Sequence, residues 1–174
     1  MSDSERSPLR ASTFALALLA AVAATSALAA ETGGCGAFAW PIEPDKALLA
    51  AAPMAESGAR LDLSRPAAVR LVLTDAAKAG FELPPGKPAA AAAPAGVLRF
   101  EARTGAYQIT MTERVWIDVV QAGKRLDEAG FSGVLDCEGA RKSVRFELQD
   151  GPATVQISGS PSRTVGIAVT ALPQ

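Results

Sequence analysis

From Gly96 onward the chain repeats one device: short runs in which every second residue is apolar, broken by turn residues. Leu98, Phe100 and Ala102 form one such set, followed by Tyr107, Ile109 and Met111, then Val115, Ile117 and Val119. Val144, Phe146 and Leu148, then Val155 and Ile157, then Val165, Ile167 and Val169 continue it. Successive side chains of an extended strand point to opposite faces, so each set is one apolar face of a strand. Arg103-Thr104-Gly105, Gly123-Lys124, Glu138-Gly139 and Gly159-Ser160-Pro161-Ser162 separate the runs, and Asp150-Gly151 predicts a hairpin. In Val115-Trp116-Ile117-Asp118-Val119-Val120, Trp116 and Val120 make the second face apolar as well, which predicts a central strand. Ala68 to Thr74 adds a strand with Val69, Leu71 and Leu73 on one side. Seven or eight short strands at this spacing predict an all-β fold, an antiparallel β-sandwich or jelly roll.

The segment before the strands carries a compartment signal. Arg6 and Arg10 precede an apolar run from Phe14 to Ala24, and Ala27-Leu28-Ala29 fits a small-residue cleavage site. The run of roughly 11 residues is short of the ~20 that span a bilayer. Residues 1–30 therefore read as a cleaved signal peptide and 31–174 as one domain, periplasmic or secreted, with no membrane span in the mature form. Export gives meaning to the two cysteines, Cys35 and Cys137, because an even pair in an oxidising compartment is expected to form a disulfide. Asp136 and Glu138 flank Cys137, and neighbouring carboxylates raise a thiol pKa, which disfavours a reactive role.

Two segments depart from the alternating pattern. Glu43 to Ala52 combines Pro44 in a first turn, nearby acids and an Ala/Leu run stopped by Pro53, predicting one short helix. Phe38 and Trp40, just upstream, are expected to dock that segment onto the domain. At about 75–95, Leu83-Pro84-Pro85-Gly86-Lys87-Pro88 and an alanine run ending at Pro94 predict an exposed, partly extended loop, since prolines remove ladder donors.

Composition narrows the chemistry. The 174-residue chain has no histidine, which excludes Ser-His-Asp and Cys-His nucleophile pairs and histidine-dependent zinc or iron sites. Its 17 basic against 18 acidic residues lack the positive field of a nucleic-acid binder, so no nucleic acid is expected as partner. No cofactor or metal is implied, because no clustered acidic loop of the calcium type occurs. Asp118, Asp136 and Glu138 form the candidate acidic site, as carboxylates are what acid-base work without histidine would need. Arg141, Lys142 and Arg145 form the candidate binding group, suited to an acidic partner, a sugar acid or a phosphate headgroup.

Gly105-Ala106-Tyr107-Gln108-Ile109-Thr110, Trp116-Ile117-Asp118-Val119, Phe146-Glu147-Leu148 and the stretch Gly151 to Gly159 resemble the rhythm of the bacterial pre-peptidase C-terminal domain, a small secreted β-sandwich. Over its whole length the chain resembles a group of small exported alphaproteobacterial proteins of unknown function. Cys35-Gly36-Ala37-Phe38-Ala39-Trp40-Pro41, Trp116-Ile117-Asp118-Val119-Val120-Gln121, and Cys137 with Arg141 to Phe146 carry that likeness. Members of the group are sometimes named homogentisate 1,2-dioxygenase. That name is a misnomer here, because the iron of such an enzyme needs histidine ligands. The expectation is a non-catalytic exported β-sandwich, a binding or structural module of the bacterial envelope whose partner is a protein or glycan. The alternative is a histidine-free hydrolase or lyase using paired carboxylates.

Overall fold

A computed structural model describes residues 32–173; the expected signal peptide lies outside the described residues. A 3-10 turn at Cys35–Ala37 leads to α1 (Glu43–Ala50), whose first turn holds Pro44, Glu43 and Asp45 as the helix N-terminus favours. Twelve strands follow in chain order: β1 (Met54–Glu56), β2 (Arg60–Leu61), β3 (Ala67–Val72), β4 (Thr74–Asp75), β5 (Pro94–Ala102) and β6 (Gly105–Met111). They continue with β7 (Trp116–Gln121), β8 (Lys124–Arg125), β9 (Gly130–Gly133), β10 (Lys142–Leu148), β11 (Gly151–Ser158) and β12 (Thr164–Ala171).

They build a two-sheet sandwich. The first sheet has the order β1-β3-β12-β6-β10-β9 and the second β2-β5-β11-β7-β8, with β4 added beside β5. Ladders between the long strands are antiparallel, whereas the short edge strands β1 and β2 join β3 and β5 in parallel. The core between the sheets is the apolar alternation made physical. Leu98, Phe100, Ile109, Met111, Val119, Val144, Leu148, Val155, Ile157, Val165, Ile167 and Val169 are all buried in one cluster. At roughly 1.5 to 3 kcal/mol for each large side chain fully removed from water, this cluster is the main stabilising term.

Two local expectations resolve differently. Asp150-Gly151 does not close a hairpin: β10 lies in the first sheet and β11 in the second, so the turn is a corner between sheets. The reason lies in its partners. Asp150 accepts from the Thr104 N–H at 2.7 Å, and the Gln121 side chain both donates to Gln149 O at 2.8 Å and accepts from Gln149 N at 2.9 Å. The hairpin instead forms at Ala122-Gly123, where φ values of 49° and 72° join β7 to β8. Strand β7 is therefore next to the edge and β11 is central.

The disulfide forms between Cys35 and Cys137, across 102 positions of sequence. It ties the N-terminal segment to the turn after β9, where Phe38, Ile42, Val134, Cys137 and Ala140 make a small second core. Helix α1 sits on the outer face of the first sheet through Leu49, Ala68 and Ala168. Among the described residues, no helix is long and apolar enough to cross a membrane.

Candidate functional site

The acidic candidates do not converge. Asp118 lies on the outer face of β7, 3 % exposed, and every side of its carboxylate is occupied. Oδ1 meets Arg125 Nε at 2.9 Å and accepts from Trp116 Nε1 at 3.1 Å, while Oδ2 accepts from Gly86 N at 2.9 Å. A buried carboxylate without such partners would cost several kcal/mol, so these donors are what keep it there. They also bind the proline- and alanine-rich segment to the sheet. Gln156 helps: its Oε1 accepts from the Glu82 and Leu83 N–H groups and its Nε2 donates to Leu83 O at 3.0 Å. Arg125 donates to Pro84 O, and Thr154 to the Glu82 carboxylate. The segment is thus a strap laid across the second sheet. Gly86 is required at its closest approach, because a Cβ there would lie 2.7 Å from Asp118 Oδ1.

Asp136 and Glu138 lie in the turn between β9 and β10, on either side of Cys137, and do not share a strand face. Asp136 is exposed and accepts from Gly33 N at 3.0 Å and Gly34 N at 2.9 Å. Those two backbone donors hold its carboxyl below the ordinary carboxylate range. Glu138 faces a separate shallow recess beside Lys46 and Arg70. Among the described residues no three Cys, Asp or Glu side chains cluster closely enough to hold a metal ion.

One buried carboxylate escaped sequence reasoning. Asp45 of α1 is 1 % exposed and presses onto the outer face of the first sheet. It accepts from Gln108 Nε2 at 2.9 Å, Thr110 Oγ1 at 2.5 Å and Thr170 Oγ1 at 2.7 Å. Beside it, Trp40 Nε1 donates to Ser143 Oγ at 2.9 Å, and the Arg145 guanidinium lies 4.2 Å from the Trp40 ring while donating to Gln108 Oε1. Arg145 therefore belongs to this structural layer.

Its neighbours in the basic group belong elsewhere. Lys142 opens β10 with the same parity as Val144, Phe146 and Leu148, so it points toward the gap between the sheets at their open end. There the strap, the starts of β7 and β10, and the ends of β9 and β11 enclose a cleft of about 950 Å³. Lys87, Arg114, Arg141 and Lys142 line it, and no aspartate or glutamate does. Of the four large apolar side chains exposed among the described residues, three, Trp116, Phe131 and Leu135, are also in its lining.

Lys142 is held firmly. Its Nζ donates to Val115 O at 3.0 Å and lies 5.6 Å from the Trp116 ring centroid and 5.3 Å from that of Phe131. Burial pushes its pKa below the ordinary lysine value, with the charge of Glu128 acting in the opposite sense. Arg141 Nη1 donates to Cys137 O at 2.6 Å. Ser158, 2 % exposed, contributes the one buried side-chain polar atom among the described residues that lacks a hydrogen-bond partner, and it lines this cleft. Sequence reasoning named Arg141 and Lys142 but not Lys87, Arg114, Phe131 or Ser158. The available signal was Trp116, a large ring on the outward side of a strand.

No protein-family model matches the chain, and no curated protein or solved structure matches it.

Proposed function

We propose that the chain is an exported, non-catalytic binding module of the bacterial envelope and that the cleft at the open end of the sandwich is its binding site. The observation that carries this reading is the coincidence in one recess of the exposed apolar side chains and a group of cations free of lining carboxylates. Exposed apolar area of this kind marks a contact surface, and a concave apolar wall with a few polar groups suits a small ligand. The volume, about 950 Å³, lies within the ~300 to 1,000 Å³ common for ligand pockets.

The arrangement of carboxylates supports binding over hydrolysis. Asp118 is held by Arg125, Trp116 and Gly86 beneath the strap, and Asp136 accepts from the Gly33 and Gly34 N–H groups at the surface. None of Asp118, Asp136 and Glu138 lines the cleft. General acid-base work needs a carboxyl within reach of a bound substrate.

The test is an amide NMR titration of the mature protein with a protein-free extract of bacterial envelope. Shifts concentrated at residues 87–93, 114–116, 131–142 and 158 are expected. Shifts confined to another surface, or none, would reject the cleft as the site.

A further inference from the structure

The cleft's side chains offer hydrogen-bond donors and almost no acceptors. Lys87, Arg141 and Lys142 only donate, and no side-chain amide or carboxylate stands among the lining residues. A neutral sugar brings several hydroxyl donors, for which these side chains supply no amide or carboxylate acceptor. An inorganic anion would suit the cations but leave Trp116, Phe131 and Leu135 facing water. A ligand that satisfies both parts has an anionic, acceptor-only head and an apolar body.

The shape of the apolar part narrows the body. The Lys142 ammonium lies over one face of Trp116 and one face of Phe131, so on those two faces a flat ring would compete with it. The rest of the apolar wall is aliphatic: Pro88, Ala89, Ala90 and Ala93 of the strap on one side, Val134 and Leu135 on the other. A flexible hydrocarbon chain packs along ring edges and methyl groups without disturbing the ammonium.

Resting on the assignment of the cleft as the binding site, we infer that its ligand is an acyl-chain carboxylate, with the carboxylate at Lys142 and its neighbouring cations Lys87 and Arg141 and the chain between the strap and Phe131-Leu135. Binding would bring a negative charge to the half-buried Lys142 ammonium, which the protein itself meets with the neutral Val115 carbonyl and the two rings.

The experiment compares three probes on the mature protein by amide NMR and calorimetry, all below their micelle concentrations. Dodecanoate has charge and chain, dodecyltrimethylammonium has the chain with opposite charge, and glucuronate has the charge without the chain. Dodecanoate is expected to shift residues 87–93, 131–142 and 158 and to bind at least about tenfold more tightly than either other probe. Lys142→Met should weaken dodecanoate about tenfold or more. Lys87→Glu, at an exposed position with little risk to folding, should weaken it in the same direction and leave the melting temperature unchanged.

Equal binding of dodecyltrimethylammonium would overturn the role of the cations. Tighter binding of glucuronate within the cleft would overturn the acyl chain while leaving the cleft as the binding site. If dodecanoate moves no cleft resonance but envelope extract does, the ligand class falls and the binding site stands. If neither moves them, both fall.

Discussion

Both sheets of the sandwich have a polar outer face, and both faces are covered, but by opposite means. The first carries Gln108, Thr110, Ser143 and Thr170 and is covered by the N-terminal segment with α1. The second carries Asp118, Thr154 and Gln156 and is covered by the strap. On the first, the buried carboxylate acceptor comes from the cover, as Asp45 receives donors from the sheet, with Trp40 and Ala39 of the cover donating to Ser143 and Ser132 beside it. On the second, the acceptors for the cover's backbone amides come from the sheet, as Asp118 and Gln156 receive N–H groups of the strap, while Thr154, Gln156 and Arg125 donate back to it. The difference follows from the covers' backbones. A helix uses its amides internally and must offer a side chain to what it lies on, whereas an extended, proline-rich strap has unpaired amides that the sheet must satisfy. Each cover also rests on one glycine. A Cβ at Gly86 would strike Asp118, and one at Gly166 would lie 2.6 Å from Thr112 Cγ2 and 3.1 Å from Leu49 Cδ2 of the helix.

Only the first cover is covalently tied, and this is where the largest effect is expected. For a closed loop of about 100 residues, chain-entropy arguments give the disulfide about 4.7 kcal/mol. Cys35→Ser with Cys137→Ser, or reduction, should lower unfolding free energy by about that amount in a denaturant titration. Intact-mass measurement of exported protein should show a gain of about two hydrogens on reduction. A loss under about 1 kcal/mol would mean that noncovalent contacts alone hold the first cover, erasing the contrast.

Asp45→Ala probes those noncovalent contacts. It removes the shared acceptor of buried Gln108 Nε2 and Thr110 Oγ1 and half-buried Thr170 Oγ1, leaving the first two only Pro41 O and Ser143 Oγ, and should cost about 3 kcal/mol of global stability. Asp118→Ala and Gly86→Ala act on the other cover and should cost less, about 1 to 2 kcal/mol. Their effect should also be local. Hydrogen exchange at Glu82, Leu83 and Gly86 should speed up while β5, β11 and β12 keep their protection. If Asp118→Ala instead melts the whole sandwich, the strap is part of the core's cooperative unit and the two covers are equivalent.

The contrast also explains what could be read beforehand. The strands were legible because Val144, Phe146 and Leu148, and each set like them, repeat at a period that has one physical cause. The disulfide was legible because two cysteines leave one pairing. Asp45 was hidden by its own typicality, since an acid in a helix's first turn is what the helix dipole favours whether or not it is buried. The strap's composition revealed that it would not join a ladder, but not that Asp118 and Gln156 would bind its amides. Those contacts cross 32 and 74 positions of sequence. The cleft was half visible. Arg141, Lys142 and Arg145 are close in sequence, yet strand parity sends Arg145 to the layer under Trp40 and Lys142 to the open end between the sheets. Phe131, Lys87 and Ser158 reach it only through the corners that carry the chain from one sheet to the other.

The smallest expected effect concerns the outermost anchor of the tied cover, the Asp136 carboxylate under the Gly33 and Gly34 amides. Folding lowers this carboxyl's pKa below its ordinary 3.8, so the folded state binds its proton less readily than the unfolded state. Its contribution to stability is therefore complete above about 3.8 and is lost as pH falls through the lower folded value. Because the group is exposed, the loss should appear first as a local release. The Gly33 and Gly34 amide resonances should move in that acid window, with a midpoint below 3.8, while core resonances stay still. Asp136→Asn should abolish the movement, and the disulfide should keep the segment in place throughout. A midpoint at or above 3.8 would show that the two amides do not hold the carboxylate. If the core moved with them, the anchor would be coupled to the sandwich through Cys137, and the tied cover would be stabilised from its outer edge inward.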